Sequence, residues 1–168
     1  GSTTDFDFGI YKESEGRDRR RFDYVIEHFG AGGDRTLGGE NLLELLSFEI
    51  FKKNQKLLRE KGITFTLPVD CVRFKGSEVL LSNSQEAKLN TKQLMEKVRP
   101  LWEGKENIQE LERGIISSIT LFHKTGKQVT GIELQVDIEE LRSILTERIE
   151  KGVINFFEAL SQSFSFNT

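Results

Sequence analysis

The sequence has one cysteine, Cys71, among its 168 residues, so it can form no internal disulfide and has no cysteine cluster for a structural metal. It lacks a run of about eighteen apolar residues that could cross a membrane, and its first residues lack the features of a signal peptide. Neither charge is in large excess, since 24 basic and 27 acidic residues give a net charge of −3. These absences predict a cytoplasmic protein whose partners include neither nucleic acid nor a membrane.

What is present is typical of a globular domain. Hydrophobic residues make up 36% of the chain and aromatic residues 10%, enough for a core in one domain or two small subdomains. The sequence begins with Gly1-Ser2 instead of a methionine and continues at once into residues typical of a strand. We therefore expect it to be a piece of a longer protein.

Two segments near the N-terminus predict a β-hairpin. Polar and apolar side chains alternate in residues 4–11, and residues 22–29 alternate in the same way. The apolar face of the first segment consists of Phe6, Phe8 and Ile10. The charged run 12–21 between the segments is expected to be a solvated tip, because acidic neighbours dilute its basic residues. These basic residues are Arg17, Arg19, Arg20 and Arg21.

The remainder of the chain predicts a helical layer and a second hairpin. Apolar residues at helical spacing predict helices at about 41–61, 82–102, 107–116 and 138–161. Residues 63–76 have no clean period and predict an irregular segment, whereas Thr125-Gly126 predicts the turn of a hairpin within 117–136. Asp137 is the predicted N-cap of the last helix, with Glu140 three residues on, and 162–168 are expected to fray. The predicted fold class is α+β.

A glycine cluster precedes the first long helix. The stretch GAGGDRTLGGE, residues 30–40, matches neither a Walker loop nor a dinucleotide-binding motif. Gly38 and Gly39 lie directly before the helix, where their small size would let an anion reach backbone N–H groups. A tight exit from the hairpin explains the same glycines, and the residues alone favour that interpretation.

Other candidate residues have equally plain explanations. Asp5 and Asp7 share one face of a strand and could hold a hydrated Mg²⁺, although exposed acids at a strand edge are the simpler interpretation. His28 and His123 fall in predicted strands, where a structural role is favoured over a catalytic one. Trp102 is interpreted as a core residue at a helix end.

Two motifs in order resemble the nucleotide-binding domain of the DnaK-type chaperones, the heat-shock protein 70 family. That family has a phosphate loop ending in Thr-x-Asp, then a hairpin and a G-D-x-x-L-G-G-E motif; here Thr3 and Asp5 occupy the first motif, and residues 33–40 match the second. Further on, Glu110, Arg113 and Ser117 have the spacing of the family's adenosine-binding helix.

The resemblance implies the second lobe of an actin-like ATPase, with residues 1–37 in its base, 38–161 in its upper subdomain and 162–168 as a tail. It implies that Thr3 and Asp5 serve the γ-phosphate and the water shell of Mg²⁺, with Asp5 as the metal-site residue. The phosphate-side residues of the second motif are Gly38, Gly39 and Glu40, and those beside adenosine are Glu110, Arg113 and Ser117. The implied ligands are ATP or ADP with Mg²⁺.

The resemblance also implies partners, namely the other lobe and a nucleotide-exchange factor. Because most catalytic groups would lie outside this chain, we expect it alone to bind ATP weakly and to hydrolyse it negligibly. A rival interpretation is a non-enzymatic α+β interaction module or an actin-like scaffold that has lost its nucleotide, and Gly114, in place of the family's second basic residue, favours that rival. A metal-dependent hydrolase built on Asp5 and Asp7 is a third, weaker alternative.

Overall fold

The computed structural model describes residues 3–104 and 108–163. Within these ranges the fold is α+β, with five α-helices and three small antiparallel sheets of two strands each. The helices are α1 (Gly39–Lys53), α2 (Gln55–Glu60), α3 (Gln85–Trp102), α4 (Gln109–Glu112) and α5 (Ile138–Ser163). The strands are β1 (Thr4–Glu13), β2 (Tyr24–Asp34), β3 (Ile115–Ile116), β4 (Leu121–Phe122), β5 (Gln128–Val129) and β6 (Leu134–Gln135).

The predicted first hairpin is confirmed, and it is longer than the sequence suggested. Strands β1 and β2 pair from Thr4 opposite Asp34 to Glu13 opposite Tyr24, and the arginine-rich tip is exposed, as expected. The predicted apolar face is wrong at Ile10, which is 54% exposed. A bulge in the ladder follows Phe8, and such bulges bend a hairpin, so the covered part of β1 includes Phe6 but not Ile10.

The core lies between α1, α3, the short strands and the start of α5. The apolar face of α1 is buried at Leu42, Leu43, Leu46 and Ile50, whereas Leu45 is partly exposed. Phe51 of the same helix contacts Phe65 with ring centroids 4.9 Å apart. The predicted single helix at 41–61 is wrong, because the helix breaks at Asn54. The Asn54 amide donates hydrogen bonds to the carbonyls of Ile50 and Gln135, each 2.8 Å long. This side chain thereby joins the helix break to the edge of β6.

The second half of the chain follows the prediction, with one error. Helix α3 begins after Ser84, whose hydroxyl caps the Ala87 N–H at 3.2 Å, and it ends at Trp102 as predicted. The predicted helix at 107–116 is wrong: residue 107 lies outside the described residues, and α4 ends at Glu112. Gly114 has a φ of +77°, which ends the helix, and β3 follows directly.

Strands β4 and β5 form the predicted second hairpin, and Gly126 has a φ of +84° in its turn. The predicted N-cap of α5 is confirmed, because the Asp137 carboxylate accepts the Glu140 N–H at 3.1 Å. The predicted tail begins inside α5, and its residues 164–168 lie outside the described residues. Across the described ranges, no helix has the length and apolar character needed to cross a membrane.

Candidate functional site

The start of β1 and the start of α1 meet at one corner of the molecule. The Thr4 hydroxyl donates a hydrogen bond of 2.8 Å to the carbonyl of Leu37, the residue just before Gly38. Thr4 also lies opposite Asp34 in the ladder. We call residues 3–5 and 34–40 the glycine corner. It brings together the two segments that the resemblance assigns to the phosphates.

Asp34 organises the turn inside the glycine corner. Its carboxylate accepts hydrogen bonds from the Thr36 N–H and hydroxyl, both 2.6 Å long, and from the Leu37 N–H at 3.2 Å. Burial acts to raise the pKa of Asp34, but these hydrogen bonds outweigh it, and the pKa falls below its ordinary value. Sequence reasoning missed this residue, although Asp followed by Thr two positions later is a typical turn pattern.

The two glycines at the start of α1 differ in their surroundings. Gly38 is the N-cap, with a φ of −69°, and it is buried, whereas Gly39 is partly exposed. A Cβ on Gly39 would lie 3.3 Å from Trp102 Nε1, so the close approach of this indole explains the glycine without a ligand. Trp102 is the partly buried end of α3, as interpreted from the sequence.

Glu40 binds a neighbouring helix. Its carboxylate forms a two-point ion pair with Arg99 of α3, with N–O distances of 2.9 and 3.2 Å. The hydrogen bond from Arg99 lowers the pKa of Glu40 below its ordinary value. Glu40 therefore links the start of α1 to the end of α3 through an ion pair.

Glu110 and Ser117, predicted to lie beside adenosine, are in contact. One Glu110 carboxylate oxygen accepts the Ser117 hydroxyl at 2.9 Å, and the other accepts the Ser118 hydroxyl at 2.7 Å. The backbone N–H groups of the two serines donate to the same carboxylate, at 3.3 and 3.0 Å. These bonds, with that of the Ser118 hydroxyl the strongest, lower the pKa of Glu110 to about 2. Glu110 is therefore a charged acceptor at neutral pH.

A cleft of about 320 Å³ lies beside this carboxylate. It is lined by Glu96, Lys97, Pro100, Ile108, Gln109, Glu110, Leu111, Arg113, Ile116 and Ser118. Arg113 is exposed there, and its guanidinium makes no ion pair within the described part of the chain. The volume is at the small end for a ligand pocket, so it suits a small ligand.

Side chains of α3 border both the glycine corner and the cleft. Arg99, which binds Glu40 at the corner, also binds Glu96 at 3.1 Å, and Glu96 lines the cleft. The side chains of Glu40, Arg99 and Glu96 thus form a chain of contacts from the glycine corner to the cleft.

The acidic strand residues do not act as a pair. Asp5 is exposed opposite Gly33, whereas Asp7 contacts His28 at 3.1 Å. Among residues 3–104 and 108–163, no group of three His, Cys, Asp or Glu side chains is close enough to hold a metal ion. Asp5 alone still fits a Mg²⁺ that keeps most of its waters, because that ion is commonly held by one or two carboxylates together with the phosphates of a substrate.

Comparisons with protein-family models, with curated proteins and with solved structures found no match. A function can therefore be inferred only from the geometry of the glycine corner and of the cleft.

Proposed function

We propose that this chain forms part of the second lobe of an actin-like ATPase of the heat-shock protein 70 type and contributes one wall of its nucleotide site. The observation that carries the proposal is the meeting of β1 and α1 at the glycine corner, through the bond from Thr4 to Leu37. The contacts of Glu40, Arg99 and Glu96 connect this corner to the Glu110 cleft, which favours a single ligand that has an anionic group at one end and a ring at the other. A nucleotide has both.

At the glycine corner the chain would face the phosphates. The partly exposed start of α1, at Gly39 and Glu40, has N–H groups that no cap side chain occupies. Thr3 and Asp5, both exposed, are the side chains proposed to face the γ-phosphate and the water shell of Mg²⁺. The ion, when bound, would neutralise phosphate charge.

The cleft would hold adenosine. Glu110 is charged at neutral pH, and its carboxylate is oriented by Ser117 and Ser118; Oε2, which accepts the Ser118 hydroxyl, has capacity to accept a ribose hydroxyl as well. Arg113 supplies a planar cation that can stack on a base, because arginine packs its flat face against aromatic rings.

Hydrolysis would require the other lobe, so the proposal assigns this chain a binding and positioning role. The wider parts of the proposal are a two-lobed parent in the cytoplasm, in which residues 38–161 move with nucleotide state, and a nucleotide-exchange partner. Alone, the chain is expected to bind ADP in the millimolar range, about −4 kcal/mol.

A second candidate is an actin-like scaffold or interaction module without nucleotide. Gly114 favours it, because a φ of +77° and a Val136 carbonyl oxygen 3.3 Å from the position of a Cβ both disfavour a basic side chain there. Without that second basic residue, Arg113 would have to bind the base alone.

Arg113→Met tests which candidate holds. If Arg113 stacks on adenine, the variant should bind adenosine about three- to tenfold more weakly than the wild type, as followed by NMR titration of the full chain. Arg142→Met is the matched control, because Arg142 is also exposed and pairs with Glu139 on α5. Equal adenosine affinity in the wild type and Arg113→Met would contradict the assignment, and no binding to either would favour the scaffold.

A further inference from the structure

A side chain distant in the sequence reaches the glycine corner from α5. Arg148 Nη2 donates a hydrogen bond of 2.9 Å to the Thr36 hydroxyl, and it lies 3.4 Å from a carboxylate oxygen of Asp70. The Arg148 side chain is 27% exposed, so it lies mostly within the structure. We propose that Arg148 is a positioning residue, which holds the turn from Asp34 to Gly38 in the conformation that presents the start of α1 to phosphates. The phosphate part of this inference rests on the proposed function.

The hydrogen bonds that run from Arg148 through Thr36 to Asp34 require one orientation of the Thr36 hydroxyl. The Thr36 hydroxyl has a single proton, which it donates to the Asp34 carboxylate at 2.6 Å. Its lone pairs remain free to accept the N–H of Arg148. Arg148 therefore stabilises the same Thr36 orientation that Asp34 requires, and removing Arg148 leaves that orientation supported from one side only.

Apolar contacts from the same face of α5 hold the turn as well. Gly152 lies four residues after Arg148, and a Cβ on it would be 2.5 Å from Leu37 Cδ1. Leu37 is only 6% exposed. Four residues further on, Phe156 stacks on Phe6 of β1 with centroids 4.4 Å apart. Three successive turns of α5 thus contact the turn and the first strand.

The contact with Asp70 adds a third segment. Asp70 is the one described residue other than glycine with a positive φ, at +62°, a conformation that is uncommon for such residues. Its loop approaches the glycine corner where Arg148 lies between Asp70 and Thr36. Arg148 therefore joins the irregular segment, α5 and the turn, and a movement of α5 would be transmitted to the start of α1.

Arg148→Met tests the inference, because Met keeps much of the apolar stem and removes the charge and the donors. The Thr36 and Leu37 amides, which donate to Asp34, should exchange hydrogen roughly tenfold faster in this variant, measured by NMR on the full chain. The Phe122 amide, bound to buried Asn90, serves as the internal reference, and Arg142→Met as the matched control. Unchanged exchange at Leu37, or an equal rise at Leu37 and Phe122, would overturn the inference.

Ligand titrations separate this inference from the proposed function. If the wild type binds ADP, Arg148→Met should weaken ADP several-fold and leave adenosine binding unchanged, since only the phosphates meet the glycine corner. If the substitution lowers the affinity for ADP and for adenosine equally, or changes neither affinity, the phosphate role is wrong. If the wild type binds no ADP while Leu37 exchange still responds to the substitution, the proposed function fails and the positioning of the turn stands.

Discussion

Asn90→Ala is expected to lower the free energy of unfolding by about 3–5 kcal/mol. Asn90 is fully buried on α3, and its amide donates to the carbonyls of Thr64 and Phe122 at 2.9 and 2.8 Å. Its side-chain oxygen accepts the Phe122 N–H at 2.6 Å. Alanine would leave three backbone groups without these partners and would also open a small cavity. Since a domain is stable by only about 5–15 kcal/mol, this variant should be close to unfolding at room temperature.

Urea denaturation followed by circular dichroism measures the loss. Asn83→Ala is the matched control, because Asn83 is exposed just before the start of α3, and its truncation should change stability by less than about 0.5 kcal/mol. Similar midpoints for the two variants would show that Asn90 does not link α3 to β4 as described.

Gly62→Ala is expected to cost about 2–4 kcal/mol. Gly62 follows α2 with a φ of +62°, where any other residue is strained, and a Cβ there would overlap the His123 ring. His123 is held in place because its Nδ1 contacts the Thr125 hydroxyl at 2.8 Å and accepts the Thr125 N–H. The ring therefore cannot turn aside without losing its contacts with Thr125 in the turn of the second hairpin.

Gly131→Ala separates the cost of the positive φ from the cost of the overlap with His123. Gly131 has nearly the same φ, +68°, but no heavy atom of the described structure lies within 4 Å of where its Cβ would be. It should lose only about 1–2 kcal/mol, the cost of the backbone conformation. If thermal melts show equal losses at the two positions, the packing of His123 on Gly62 contributes nothing.

The spacing of apolar residues predicted the elements that are determined by their own segment of sequence. The first hairpin and α5 were predicted because alternation and a three- to four-residue apolar repeat leave few alternatives for their backbone. The break at Asn54 was not predicted, because it depends on Gln135, a residue 81 positions away. The early end of α4 had a local signal, since a glycine that follows a basic residue is a common helix stop, and Gly114 follows Arg113.

The candidate site was predictable in part. Glu110 and Ser117 were chosen because they match a motif, and they do make contact. The resemblance assigned Glu40 to the phosphate side, but no sequence pattern indicated that Glu40 pairs with Arg99. Arg148 could not have been predicted, because 112 positions separate it from Thr36. Contacts of this kind depend on how the helices pack, and the packing is decided by side chains from the whole core.

The central claim is that the glycine corner and the cleft are two ends of one nucleotide site. The most direct measurement is an NMR titration of the ¹⁵N-labelled full chain with ADP and Mg²⁺. We expect the backbone amide signals of two groups of residues to shift together: Gly39 and Glu40 at the corner, and Glu110, Arg113 and Ser117 at the cleft. Both groups should fit one binding curve with a single dissociation constant in the millimolar range, about −4 kcal/mol. If neither group shifts at about 10 mM ADP, or if only one does, the two ends do not belong to one nucleotide site and the account is wrong.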